Sequence, residues 1–361
     1  MNALRYDYRD VFGAAAMGLR VRKWMVALPG VSAGLVWWSL CGWAALIARG
    51  LSPALVWNVY GPVPWPSLSS LGGILPATLW GLGMAGAAVT WMLAFSAVGR
   101  VTYQQLKGND FYSLAEAWRF TLRKWKALVF PPVLLSAGGG ALLLALFVLS
   151  ILGGLWLPLW GIVFPLGLLA ALSLLYLVVV LAVAITMAPA VVASSASETL
   201  ETTFELFSLQ SSQGKRMWFY TALSAIVSGV YAAALGFLLG VGTLAASWAL
   251  DMGQGGAVGR LLRASLGWSP RLAAAINGVP GVLDSFLIGI GISPAMTHRS
   301  YVLTPPASTF GGVSLALMFL LLLLLILAQF VTAYATSQTT AYVVLRQLKD
   351  DQNLLEEDLE E

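Results

Sequence analysis

SLAEAWRFTLRKWKAL, residues 113–128, decides the reading of this chain: a charged amphipathic segment ends on Arg123-Lys124-Trp125 and runs straight into apolar sequence. Ser113 with Glu116 three residues on is a capping-box pattern, so a helix starts there. Basic residues beside a tryptophan at its far end mark a membrane boundary, where Lys, Arg and Trp settle at headgroup depth. The same punctuation occurs at Arg22-Lys23-Trp24 and at Lys215-Arg216-Met217-Trp218, each ahead of a long apolar run. The chain therefore reads as three copies of one unit, an interfacial helix followed by an apolar hairpin.

Of the 361 residues, 59% are hydrophobic and 10% are charged, against about 25% charged in soluble globular proteins. The expected fold is all-α: a polytopic membrane protein with six transmembrane helices near 24–47, 76–98, 131–152, 159–188, 217–250 and 313–345. Each run exceeds the roughly 20 apolar residues needed to cross the hydrocarbon. As a single membrane domain, 1–361 divides into repeat 1 (1–100), repeat 2 (101–189), repeat 3 (190–346, with an outer insertion at 251–310) and an acidic tail (347–361). The exits of spans two and six share Gln-Leu-Lys, at Gln105-Leu106-Lys107 and Gln347-Leu348-Lys349, and repeat arrays confine their insertions to one face.

Local chemistry sets the joints. In the polar arm 1–23, Val11, Phe12, Ala15, Met17 and Leu19 are expected on lipid, with Arg5, Arg9, Arg20, Arg22 and Lys23 facing headgroups. The first apolar run is too long for a signal-peptide core, so it reads as a retained helix. Pro53, Pro62, Pro64 and Pro66, interleaved with Trp57, Tyr60 and Trp65, read as an interfacial loop. Gly153-Gly154 and Pro158 imply a tight hairpin turn, and Pro189 is expected to end the fourth span. The insertion 251–310 reads as two helical pieces lying on, or dipping into, the outer leaflet. Every Lys and Arg except Arg49, Arg260, Arg263, Arg271 and Arg299 falls on the side that holds both termini. By the positive-inside rule both termini are cytoplasmic, which places the chain as a multi-pass protein of the cytoplasmic membrane.

The spans offer no Asp, Glu, Lys, Arg or His at mid-depth, the usual marker of an ion or proton pathway. Cys41 is the single cysteine and His298 the single histidine, so neither a disulfide nor a His-based metal site forms within one chain. Asp284 near His298 offers an acid-base pair, but no nucleophile motif or cleft signal accompanies it, and the sequence has no phosphate loop or nucleophile elbow. No catalytic, cofactor-binding or metal-binding residue is therefore assigned. The basic balance belongs to membrane-facing loops, so nucleic acid is not an expected partner. Candidate interaction residues are Glu116, Trp118, Arg119, Arg123, Lys124 and Trp125 on one linker and Glu198, Glu201 and Glu205 on the other. Those glutamates have two open readings: docking a basic partner or pairing with Arg119, Arg123 and Lys124, and a solvated helix face. Ala232, Gly236 and Gly240 recur every four residues as a helix-packing stripe expected to face another span.

The linker Glu198-Thr199-Leu200-Glu201-Thr202-Thr203-Phe204-Glu205-Leu206 after Pro189, with the ending Val344-Leu345-Arg346-Gln347-Leu348-Lys349-Asp350, resembles a group of bacterial six-span membrane proteins of uncharacterised function. That group includes the membrane domain attached to some glycerophosphodiester phosphodiesterases. Thr202-Thr203 here replace an Arg-Ser pair of that group. The resemblance implies a six-helix fold and no activity.

Two functions are carried forward. One is a non-enzymatic scaffold or accessory subunit that presents its linkers and outer segment to membrane lipids and partner proteins. The other is a permease-like transporter of a lipid or other hydrophobic solute.

Overall fold

The computed structural model describes residues 5–60, 62–66, 71–155, 160–251, 305–350 and 354–356. Every regular element among them is a helix: α1 (Tyr8–Met17), α2 (Val21–Ala48), α3 (Pro53–Tyr60), α4 (Ile74–Leu106), α5 (Leu114–Arg123), α6 (Trp125–Leu155), α7 (Trp160–Ser195), α8 (Thr199–Asp251) and α9 (Pro305–Asp350). Six of them, α2, α4, α6, α7, α8 and α9, are long and apolar enough to cross a membrane. The protein is all-α and polytopic, as an apolar solvent demands of backbone groups that must bond internally. Three expectations fall outside the described residues: the outer pieces within 252–304 with Asp284 and His298, the turn at 156–158, and the end of the acidic tail.

Several helix limits differ from those read off the residues. α7 does not stop at Pro189 but continues to Ser195. A membrane helix tolerates an interior proline that neighbouring helices enclose, and here Pro189 is buried, with Gly99 of α4 packed beside it. α6 likewise begins at Trp125, upstream of Pro131 and Pro132. The proline-rich loop contains α3, which starts on Pro53, a residue suited to a first helical turn. The second linker and the fifth span form one helix, α8, broken only at Gln213 (φ −130°, ψ 24°). Ser211 and Ser212 there turn their hydroxyls onto the Ser208 carbonyl at 3.1 and 2.6 Å, and Gly214 follows. Ser and Gly together are a common cause of such kinks.

The chain forms two compact units. The first comprises Met1–Gly30, Trp91–Gly229 and Gln329–Glu361. Its core draws Val180, Val183, Met187 and Val191 of α7 together with Leu206, Leu209 and Met217 of α8 and Ala341–Leu345 of α9. Val11 of α1 belongs to that core. This corrects the expectation for the N-terminal arm: Val11 and Ala15 are buried on protein, whereas Phe12 and Leu19 stay exposed. The cause is a close approach at Gly18, whose ideal Cβ would lie 2.6 Å from the Ala333 Cα. Only a residue without a side chain lets the arm lie this close on α9.

The second unit, Val31–Thr90 and Val230–Ala328, packs by the same small-residue logic. Gly83 faces Cys41, and Gly86 receives the Trp37 indole. Trp38 donates to the Pro64 carbonyl at 3.0 Å and packs tilted against Trp65 and edge-on against Trp80, at ring-centroid distances of 4.8 and 5.7 Å. The Pro-rich segment is thus folded onto α2.

Candidate functional site

The first unit contains a buried polar seam centred on Lys23. In α9 the residues Gln329, Thr332, Thr336, Ser337, Gln338, Thr339 and Thr340 are all buried. Most of these hydroxyls donate to carbonyls of their own helix, as Thr336 does to Thr332 at 2.6 Å and Thr340 to Thr336 at 3.0 Å. That arrangement satisfies the hydroxyl protons and leaves oxygen lone pairs facing outward from the helix. Lys23 uses them: its Nζ donates to Thr102 Oγ1 at 2.9 Å and to Thr336 Oγ1 at 3.4 Å. The side chain is 0% exposed, and no carboxylate oxygen lies within 4 Å among the described residues. Lys23 does not face headgroups as expected from sequence, because α1 and α9 close over it. Thr332 donates to the Gly18 carbonyl at 3.0 Å, Ser337 donates to the Val11 carbonyl at 3.3 Å, and Trp24 joins Gly18 to Gln329.

Arg100 is the second buried cation, 1% exposed in the last turns of α4. It donates to the Ala193 carbonyl at 3.2 Å and lies over the Phe120 ring at 4.2 Å from its centroid. An aromatic face and a carbonyl together replace part of the water that a guanidinium loses on burial. The preceding Gly99 makes this possible, since a Cβ there would meet Thr339 Oγ1 at 2.8 Å and Ala193 Cβ at 2.9 Å.

Around this seam the arm, both linkers and the chain's exit are tied to one another. Arg22 donates to the carbonyls of Asp110 and Tyr112, and Arg20 pairs with Asp110 at 3.5 Å. Trp118 donates to the Val26 carbonyl at 3.0 Å, Lys124 pairs with Glu198 at 3.2 Å, and Tyr103 donates to the Leu354 carbonyl at 2.6 Å. Glu205 bonds Arg346 at 2.8 Å and lies 3.7 Å from Lys349, which also donates to Ser208 at 2.7 Å. The three short helical starts share one cap. The backbone N–H of Asp7, of Ser113 and of Glu198 donates to the carboxylate three residues on, at 3.4, 2.7 and 3.2 Å. At Glu116 that donation, with the Ser113 hydroxyl, holds the carboxyl below its usual range.

The candidate interaction residues distribute accordingly. Glu116 closes the cap of α5, and Glu201 accepts from the Glu198 backbone. Of the pairings between linkers weighed from sequence, Glu198 with Lys124 is the one that forms among the described residues. Glu205 instead turns to α9, because the exit of that helix brings Arg346 and Lys349 beside it. Arg119, Arg123 and Trp125 remain exposed. In the second unit Ala232 is buried, Gly236 lies 3.4 Å from the Ile326 side chain and Gly240 is half-buried. Sequence reasoning gave Lys23 only a headgroup role and gave Arg100, Thr102 and Thr336 no part in a site. The signal was present in Thr336-Ser337-Gln338-Thr339-Thr340, a polar run inside an otherwise apolar span. Among the described residues no group of three His, Cys, Asp or Glu side chains is placed to hold a metal. Comparison with family models, with curated proteins and with solved structures finds nothing that matches this chain.

Proposed function

We propose that this protein acts by assembly, as a non-enzymatic scaffold or accessory subunit of a complex in a bacterial cytoplasmic membrane. Its linkers and termini face the cytoplasm on the weight of their basic residues, and its three interfacial-helix-plus-hairpin segments descend from one repeated unit. The observation that supports this reading is the tying of the arm, both linkers and the exit of α9 to one another, with Arg119 and Arg123 left facing outward. A preorganised surface with outward cations suits a docking platform, because little ordering entropy remains to be lost on binding. Close packing at Gly18 and Gly99 also favours assembly over an open solute path.

The test is quantitative crosslinking in native membranes followed by purification. A protein partner recovered in stoichiometric amount, and lost on Arg119→Glu with Arg123→Glu, supports the proposal. Recovery of the chain alone at every crosslinker length refutes it. A permease for a hydrophobic solute is the second reading, and the buried hydroxyl seam around Lys23 is the observation that favours it. A Thr336→Cys substitution in a Cys41→Ala background separates the two. Labelling by a membrane-impermeant maleimide speaks for a solvated path, and protection speaks for assembly.

A further inference from the structure

The three basic-tryptophan boundaries differ in how they use their cations. At the first, Lys23 is buried on hydroxyls and Arg22 bonds carbonyls of the first linker. At the second, Lys124 is paired with Glu198. At the third, Lys215 and Arg216 are both exposed, with no carboxylate within 4 Å among the described residues. They line an open cleft of ≈ 880 Å³ at the kink of α8, with Gln210, Ser212, Gln213 and Trp218. Trp218 donates to Gln210 Oε1 at 3.2 Å across the kink, which fixes the indole as one wall. Below the cleft the same helix exposes Phe219 and Ile226, apolar side chains seven residues apart on one face. Above it, Leu200 and Phe204 are exposed at a spacing of four.

We propose that this cleft binds the phosphate of an anionic phospholipid. Lys215 and Arg216 take the phosphate, the Trp218 edge sits at glycerol depth, and the acyl chains run along Phe219 and Ile226. The inference needs only that α8 crosses a membrane, and holds whether the protein assembles or transports. A phosphodiester supplies the charge that the two cations lack, and Arg reads phosphate through paired N–H donors. Trp and Lys or Arg at one depth otherwise serve as plain anchors, and plain anchoring spreads the preference for anionic lipid over every exposed cation, those of α5 included.

The experiment is native mass spectrometry of the delipidated protein titrated in detergent with phosphatidylglycerol or phosphatidylcholine. Wild type should retain phosphatidylglycerol in preference to phosphatidylcholine, and Lys215→Gln with Arg216→Gln should weaken its retention about thirtyfold, the worth of two cations at an anionic surface. Lys215→Arg with Arg216→Lys should keep it, which shows that the variants fold and load. Arg119→Gln with Arg123→Gln removes equal charge from α5 and should change retention by less than about threefold, within the salt-screened reach of distant charges. Equal retention of both lipids by wild type, or an equal loss in the two neutralised variants, overturns the proposal. Displacement by inorganic phosphate at the concentration at which phosphatidylglycerol binds assigns the cleft to free phosphate and likewise overturns the lipid assignment.

Discussion

Replacing Thr102 and Thr336 together by valine should destabilise this protein more than replacing Lys23 by methionine. The two hydroxyls accept from Lys23, while their own protons are committed to the Val98 and Thr332 carbonyls at 2.9 and 2.6 Å. Removing the lysine head therefore orphans no donor, and methionine fills most of its volume, at a cost of about 1.5 kcal/mol or less. Valine at both threonines keeps the shape but strips the lysine of both its acceptors at a position with no access to water. Leaving a buried polar group without any hydrogen-bond partner costs about 1–3 kcal/mol. The 3.4 Å bond to Thr336 is the weaker of the two, so Thr102→Val alone should account for more than half of the loss. The assay is reversible unfolding in mixed micelles, read for each single variant, the threonine pair and the triple variant with Lys23→Met. The triple variant should return to within about 1 kcal/mol of Lys23→Met alone, because the amine that lacked partners is gone. If Lys23→Met is as destabilising as the threonine pair, or the triple variant stays as weak as the pair, the reasoning about the seam is refuted.

Three further outcomes are expected. Gly18→Leu forces a side chain into the Ala333 backbone and should cost about 1–3 kcal/mol, visible as faster proteolysis of the arm, whereas Gly13→Ala, which has open space, should not change the rate. Glu205→Gln breaks a half-buried pair with Arg346 and should cost about 1–3 kcal/mol by thermal unfolding, while Glu198→Gln, mostly exposed beside Lys124, should cost about 0.5 kcal/mol or less. Glu116 is held below the ordinary carboxylate range, so its contribution to the α5 cap is complete above that range and is lost as pH falls through the lowered value. A spin label on α5 should loosen under acid in wild type and much less in Glu116→Gln, and identical pH profiles for the two would sink this account of the cap.

Much of the fold was legible because an apolar solvent leaves few choices. Runs such as Leu320–Leu327 cannot hide their backbone polarity except as helix. The caps at Ser113 and Glu116 were equally readable, because a capping box is a local contact between residues three apart. The limit set at Pro189 misled for the opposite reason. A proline breaks a helix in water, but a membrane interior supplies no water to take over the freed carbonyl, so the helix continues where neighbours enclose it. The arm misled in a different way. Val11 and Ala15 form an apolar stripe whether it meets lipid or α9, and periodicity does not distinguish the two.

The sequence by itself determined the class of this protein, its six apolar helices and the start of α5 at Ser113, since these follow from hydrophobic runs and near-neighbour contacts. Only the tertiary structure decided which basic residues face out. Lys23, Lys124 and Lys215 stand at three boundaries of one type. The first is buried against Thr336, more than 300 residues away along the chain, the second is paired with Glu198, and the third lies exposed at a cleft. A charge's partner is set by which helices close over it, and Gly18 and Gly99 govern that closure by letting backbones approach where any side chain would hold them apart.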